Sequence, residues 1–155
     1  MPPVQLDSPG ALREYVGREI GASDWMRLEQ ERIDRFADVT EDRQWIHVDP
    51  ERAERESPFH ATIAHGFLTL SLTSHLSKQA FEIRSGIRLG VNYGLNRVRF
   101  PSPVLAGSMI RARVGLVSLK DIEGGLEATL LVTVETEGGA KPCCVAEWIV
   151  RYYLD

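Results

Sequence analysis

The sequence predicts an α+β chain in which an antiparallel, curved sheet wraps around one long central helix, and three observations predict it. Apolar residues crowd nearly every side of a helical stretch over about 62–79, strict apolar–polar alternation then sets in over 110–116 and 126–134, and the glycine pairs Gly124-Gly125 and Gly138-Gly139 punctuate the alternating runs. A helix apolar all round belongs in an interior. Alternation with period two marks strands buried on one face, and glycine pairs supply the backbone angles of tight hairpins. One buried helix followed by such a meander is covered when the sheet curls around it.

Each element can be justified in turn. Ser8-Pro9 reads as an N-cap and first helical position, with Leu12, Tyr15 and Val16 as the apolar face before Gly17 ends the element. Residues 25–28 read as a first strand, after which Ile33, Phe36 and Ala37 recur at helical spacing within 30–39. Asp49-Pro50 caps another short helix, which Ser57-Pro58 breaks. Residues 41–48 are then a loop held between two helices. In the long helix that follows, Ile63, Ala64, Phe67, Leu68, Leu70, Leu72 and Leu76 point in nearly all directions. Residues 81–90 mix apolar positions with Gly86 and Gly90, keep no period and read as a connection from helix to sheet. Arg97 and Arg99 alternate along a strand with Val98 and Phe100 on its other face; Ile110 to Leu116, Leu126 to Val134 and finally 143–153 supply the meander.

Length and composition bound the function classes. A chain of 155 residues, 43% hydrophobic, suits one domain over 1–155 with its own core. A net charge of −4 without a block of Lys or Arg speaks against a nucleic-acid partner. The longest apolar stretch, around 63–72, is broken by His65, Gly66, Thr69 and Ser71 and is too short for a bilayer. The opening Met1-Pro2-Pro3-Val4-Gln5-Leu6-Asp7 has no basic-then-apolar signal pattern, so no membrane partner and a cytoplasmic location are expected. Cys143 and Cys144, the only cysteines, are strand neighbours that point to opposite faces and read as free thiols. Four histidines without a repeated Cys/His/Asp spacing give no metal expectation, and there is no G-x-S-x-G elbow or phosphate-cradling glycine loop.

Two segments carry chemistry. Asp42-Arg43-Gln44-Trp45-Ile46-His47 sets a carboxylate and an imidazole five residues apart, and Ile63-Ala64-His65-Gly66-Phe67-Leu68 opens the apolar helix with a glycine near its start. Such a pair can hold and polarise one water, and first-turn amides can receive a developing oxyanion. Acid/base chemistry on a carbonyl compound follows as the expectation. Each residue also has a plainer reading: Asp42 as a solvated carboxylate, His47 as a structural histidine, Gly66 as a point of close helix-on-sheet packing. His65 reads as a buried, hydrogen-bonded residue that fixes the helix start, and His60 and His75 as surface histidines.

Together with Asn92-Tyr93-Gly94-Leu95-Asn96-Arg97-Val98-Arg99-Phe100-Pro101, these two segments resemble the MaoC-like dehydratases, the (R)-specific enoyl-CoA hydratases, over about 28–153. The resemblance implies the hotdog fold, a homodimer whose sheets join edge to edge, and reversible hydration of a trans-2-enoyl-CoA to the (R)-3-hydroxyacyl-CoA. It makes Asp42 and His47 the catalytic pair and Gly66 the donor to the thioester oxygen. Where the family signature D-x-N-x-x-H has Asn, this chain has Gln44, a longer amide implied to orient the pair. No cofactor is implied, since coenzyme A arrives as part of the acyl-CoA substrate; Arg97 and Arg99 read as solvated cations, with a contact to the coenzyme A phosphates the lesser reading. A thioesterase on the same type of fold and a non-catalytic acyl-thioester-binding subunit stand as the alternatives.

Overall fold

In a computed structural model that describes residues 1–155, the alternating runs become long antiparallel strands and the apolar stretch a helix lying along them. In chain order the elements are β1 (Val4–Leu6), a 3-10 helix (Pro9–Tyr15), β2 (Arg18–Ala22), β3 (Met26–Arg27), α1 (Gln30–Thr40), α2 (Trp45–Val48) and α3 (Pro50–Glu56). Then come α4 (Gly66–Ala80), β4 (Phe81–Ile83), β5 (Ile87–Arg99), β6 (Met109–Ile122), β7 (Gly125–Thr136) and β8 (Cys144–Leu154). The main sheet runs β2-β6-β7-β8-β5, with β3 also pairing β6. The β6-β7-β8 meander is antiparallel throughout, and its first hairpin turns at Gly124, whose φ of 78° favours glycine.

Inward rows of the meander, among them Val114, Leu116, Leu130, Val132 and Ala146, meet Leu68, Leu72 and Leu76 of α4 in a single hydrophobic core. This is the hotdog layout, an antiparallel sheet curled along one helix. No helix is long and apolar enough to cross a membrane. Both thiols are buried and unbridged, and Cys143 Sγ reaches the Val134 carbonyl oxygen. Burial pushes Cys143 up to about 12 and Cys144 up to about 11.

Several local expectations need correction. The long helix begins at Gly66 rather than near 62, because the backbone of the preceding residues is engaged elsewhere: Ala64 N–H donates to Val104 O at 2.8 Å, and Ile63 bridges to Leu105. It is also not covered on every side. Phe67 is 70% exposed and Ser71, His75 and Lys78 face outward, so the sheet leaves one flank of α4 open. The expected loop at 41–48 contains the helical turn α2. The first strand is β1 and not residues 25–28, of which only Met26 and Arg27 pair in a sheet while Leu28 is buried. Residues 81–90 are more than a connection: β4 pairs in parallel with β1, and β5 has already begun at Ile87. Such pairings join residues distant in sequence and leave no local periodicity.

Candidate active site

The site is assembled where α1, α2 and the start of α4 converge. Thr40 ends α1, and Glu41 at φ 63° turns the chain in a left-handed cap that delivers Asp42 to the loop before α2. One turn of helix then carries His47 inward to 7% exposure. Its Nδ1–H donates to the carbonyl oxygen of Ile63 at 2.7 Å, so Nε2 carries the free lone pair. Ile63 is pinned in turn, its N–H donating to Ile46 O at 3.0 Å. From α1, the side-chain amide of Gln30 donates to His47 O at 2.7 Å, and the buried Thr62 hydroxyl donates to the Gln30 side-chain oxygen. His47 is thus fixed at its ring and at its backbone.

Against it lies His65. The two imidazoles stack with centroids 3.8 Å apart and planes at 21°, and Phe36 meets the His65 ring edge-on at 5.0 Å. His65 Nε2–H donates to the backbone carbonyl of Asp42 at 2.9 Å. Potential ligand atoms of Asp42, His47 and His65 all lie within 4.8 Å of one another. Burial holds the His47 pKa below the ordinary imidazole range; the nearby His65 adds to this, while the Ile63 carbonyl and the Asp42 carboxylate oppose it. A neutral imidazole beside a carboxylate can take a proton from water. As a metal centre the trio is a poor fit, since stacked rings direct their in-plane lone pairs side by side rather than toward a common point.

Gly66 is the first residue of α4, so its N–H has no intrahelical acceptor and sits at the positive end of the helix. A Cβ added there would meet the Phe100 ring at 3.1 Å, which gives the glycine a packing reason beside any catalytic one. Gln44 enters differently: its backbone carbonyl accepts from His47 N–H at 3.0 Å, while its side chain is exposed and makes no hydrogen bond to Asp42 or His47. Trp45 packs under Arg52 at 4.3 Å, and His60 and His75 are exposed. The supporting Gln30 and Thr62 were invisible to sequence reasoning, because a bond across 32 residues leaves no spacing signal. His65 did leave one, a histidine beside a glycine at a helix start.

The open flank of α4 faces β5. Near the helix start Gly66 and Phe100 approach; farther along, a cavity of about 310 Å³ lies between Leu70, Ser71 and Ser74 and the β5 residues Asn92 to Leu95. It shares Ser74, Asn92 and Trp148 with a larger one of about 530 Å³ that reaches Ser77, Phe81, Ile87 and Gly90. A third cavity, of about 410 Å³, lies beside Gly66 between Phe59, Ile63 and Phe100. Gly90 faces the large cavity, whereas Gly86 sits in a turn at φ 87° against Pro9. The two glycines singled out after the helix thus do different work.

Comparison with known proteins matches this architecture. The family model described as MaoC like domain matches residues 12–137. The 3-hydroxyacyl-thioester dehydratase Z of Mycobacterium tuberculosis (strain ATCC 25618 / H37Rv) is 52% identical over 148 residues, spanning 95% of this chain and 97% of that protein. Nodulation protein N of Rhizobium leguminosarum bv. viciae is 47% identical over 142 residues, 90% of this chain and 88% of its own. Among solved structures, the (R)-hydratase from A. caviae involved in PHA biosynthesis superposes with a TM-score of 0.69 at 27% identity, covering 86% of this chain and 96% of that one.

Proposed function

The chain belongs to the MaoC-like dehydratase family, and from that premise we propose that it adds water reversibly across the double bond of a trans-2-enoyl-CoA, giving the (R)-3-hydroxyacyl-CoA. The observation that carries the reading is a buried His47, held by its Nδ1–H on the Ile63 carbonyl, with a ring nitrogen and an Asp42 carboxylate oxygen within 4.8 Å of one another, next to the start of a helix whose first amide has no intrahelical acceptor. Water held between the two side chains loses a proton to one of them as its oxygen bonds to the β carbon. The electron pair of the double bond moves toward the thioester, whose oxygen takes the negative charge. Gly66 N–H and the helix dipole meet that charge; donors of this kind are worth on the order of 10²–10³ in rate when removed singly. A proton delivered to the α carbon on the same face completes the addition. Coenzyme A enters as part of the substrate, and the chemistry calls on no other group.

The acyl chain has a course to follow. From Gly66 to Ser74 the helix rises about 12 Å, and the open groove between α4 and β5 runs alongside. The apolar side chains of Leu95, Trp148 and Ile87 would receive the methylenes.

Absorbance of an enoyl-CoA in its conjugated band, followed with and without a thiol reagent, tests the function. Loss of absorbance with no thiol released is the expected result. Thiol release would instead make the protein a thioesterase, and no change with retained binding would make it an acyl-thioester-binding subunit.

A further inference from the structure

We propose that His65 is a positioning residue that locks the acid/base pair to the oxyanion donor, so that Asp42, His47 and the Gly66 amide act as one rigid unit. The proposal rests on the hydration reading for its kinetic arm only. Three contacts of this one residue carry it. Its Nε2–H holds the backbone carbonyl of Asp42 at 2.9 Å across 23 residues of chain, a tether for a loop whose carboxylate is otherwise exposed. Its ring covers a face of His47 at 3.8 Å, fixing the plane that the Ile63 carbonyl already holds at one edge. Its own backbone is the N-cap of α4, with its carbonyl accepting from Leu68 and Thr69 at 3.0 and 3.2 Å, and the next residue is Gly66. Any motion of the helix start therefore moves the pair with it.

Packing alone does not explain the choice of residue. His65 is 3% exposed, and its Nδ1 is buried without a partner, a penalty that an apolar ring of similar size would avoid. What an imidazole supplies here and a phenyl ring does not is the N–H to Asp42. A second imidazole stacked on His47 also disfavours a charge there. The groups that face His47 are His65 from the start of α4, Asp42 from the loop and the Ile63 carbonyl, with the neutral Gln30 reaching its backbone from α1. Of these, His65 acts with burial to keep His47 neutral.

Three variants of the full chain separate the roles. His65→Phe keeps a stacking ring and loses the donor, His65→Gln keeps an amide donor and loses the ring, and His65→Ala loses both. On crotonyl-CoA, kcat is expected to fall on the order of 10–100-fold in the Ala variant, the scale for losing an orienting partner, with KM changed less than about threefold. Gln should recover part of that loss. In all three, the histidine ring resonances of ¹⁵N-labelled protein should show His47 titrating at higher pH than in the wild type, and the acid limb of kcat should follow. Folded Phe or Gln variants with wild-type kcat and an unmoved His47 titration would overturn the proposal, as would a loss confined to KM. The resonances report positioning without turnover, so a wild-type protein that shows no hydration removes the proposed function while the shift in His47 still decides the role of His65.

Discussion

His47 is kept uncharged chiefly by burial, and that has two consequences at the scale of the residue. Because its folded pKa lies below the unfolded value of about 6.5, the unfolded chain binds more protons as the pH falls below that value. Its contribution to stability is therefore full above about 6.5 and declines as the pH drops toward the folded pKa. Thermal midpoints at pH 7.5 and pH 5.5 should accordingly differ less in His47→Gln than in the wild type. In the proposed reaction, the same direction would leave the His47 ring able to accept a proton below neutral pH. Asp42→Asn and His47→Gln are each expected to lower hydration by about 10²-fold or more with the fold intact, and the double variant to cost far less than the product of the two. Near wild-type turnover in either single variant would remove that residue from the pair. Gln44 is set apart by its exposed amide: Gln44→Asn should retain substantial activity, and an unimpaired Gln44→Ala would show that only the backbone carbonyl at this position is used.

At the scale of the element, α4 must begin close to Phe100 and still leave a groove beside β5. Gly66→Ala brings a Cβ to 3.1 Å from the Phe100 ring, so it perturbs packing as well as access to the proposed oxyanion donor. Adding Phe100→Leu to Gly66→Ala should restore thermal stability; if kcat stays low after that, the loss belongs to the Cβ obstructing approach to the Gly66 N–H, which alanine retains, and not to the crowding of Phe100. Gly90 offers a cleaner handle on the acyl course, since a Cβ there makes ordinary contact with Tyr152 at 3.5 Å while narrowing the large cavity. Gly90→Val is expected to disfavour longer enoyl chains relative to crotonyl-CoA by about 1–3 kcal/mol per excluded methylene, read as kcat/KM across a chain-length series. An unchanged profile would move the acyl chain to the cavity beside Phe59. Gly86 tests something else, because its φ of 87° makes any side chain there a strain on the turn.

For the whole molecule, the decisive surface is the free edge of β5. Leu89, Val91, Tyr93 and Leu95 are exposed along it, and Phe67 stands out from the neighbouring open flank of α4. An unpaired strand with apolar side chains is a template for association. Pairing two copies along it would continue the sheet and shelter the groove. Light scattering at micromolar concentration is expected to give about twice the single-chain mass, as for a closed two-fold dimer, and Leu89→Lys with Leu95→Lys to shift it toward the monomer. A fully active monomer would separate the site from any neighbour. The thiols make the opposite forecast: with both pushed well above neutrality and buried, neither should alkylate in the native protein at pH 7.

Local pattern alone determined the strands of the meander, the helical nature of α1, α3 and α4, and the two motifs proposed to carry the chemistry. Periodicity and capping are written in neighbouring residues, and the motif spacing survives folding unchanged. What only the tertiary structure decided is where those pieces stop and what they touch. The start of α4 at Gly66 depends on Val104 and Leu105 capturing the residues before it, and β4 exists because β1 lies beside it. Gln30 and Thr62 support His47 only once α1 and the strand-like stretch before α4 are folded together. Hydrogen bonds between distant residues impose no period on a sequence, so the chain spelled out Asp42 and His47 while the fold alone brought His65 onto both.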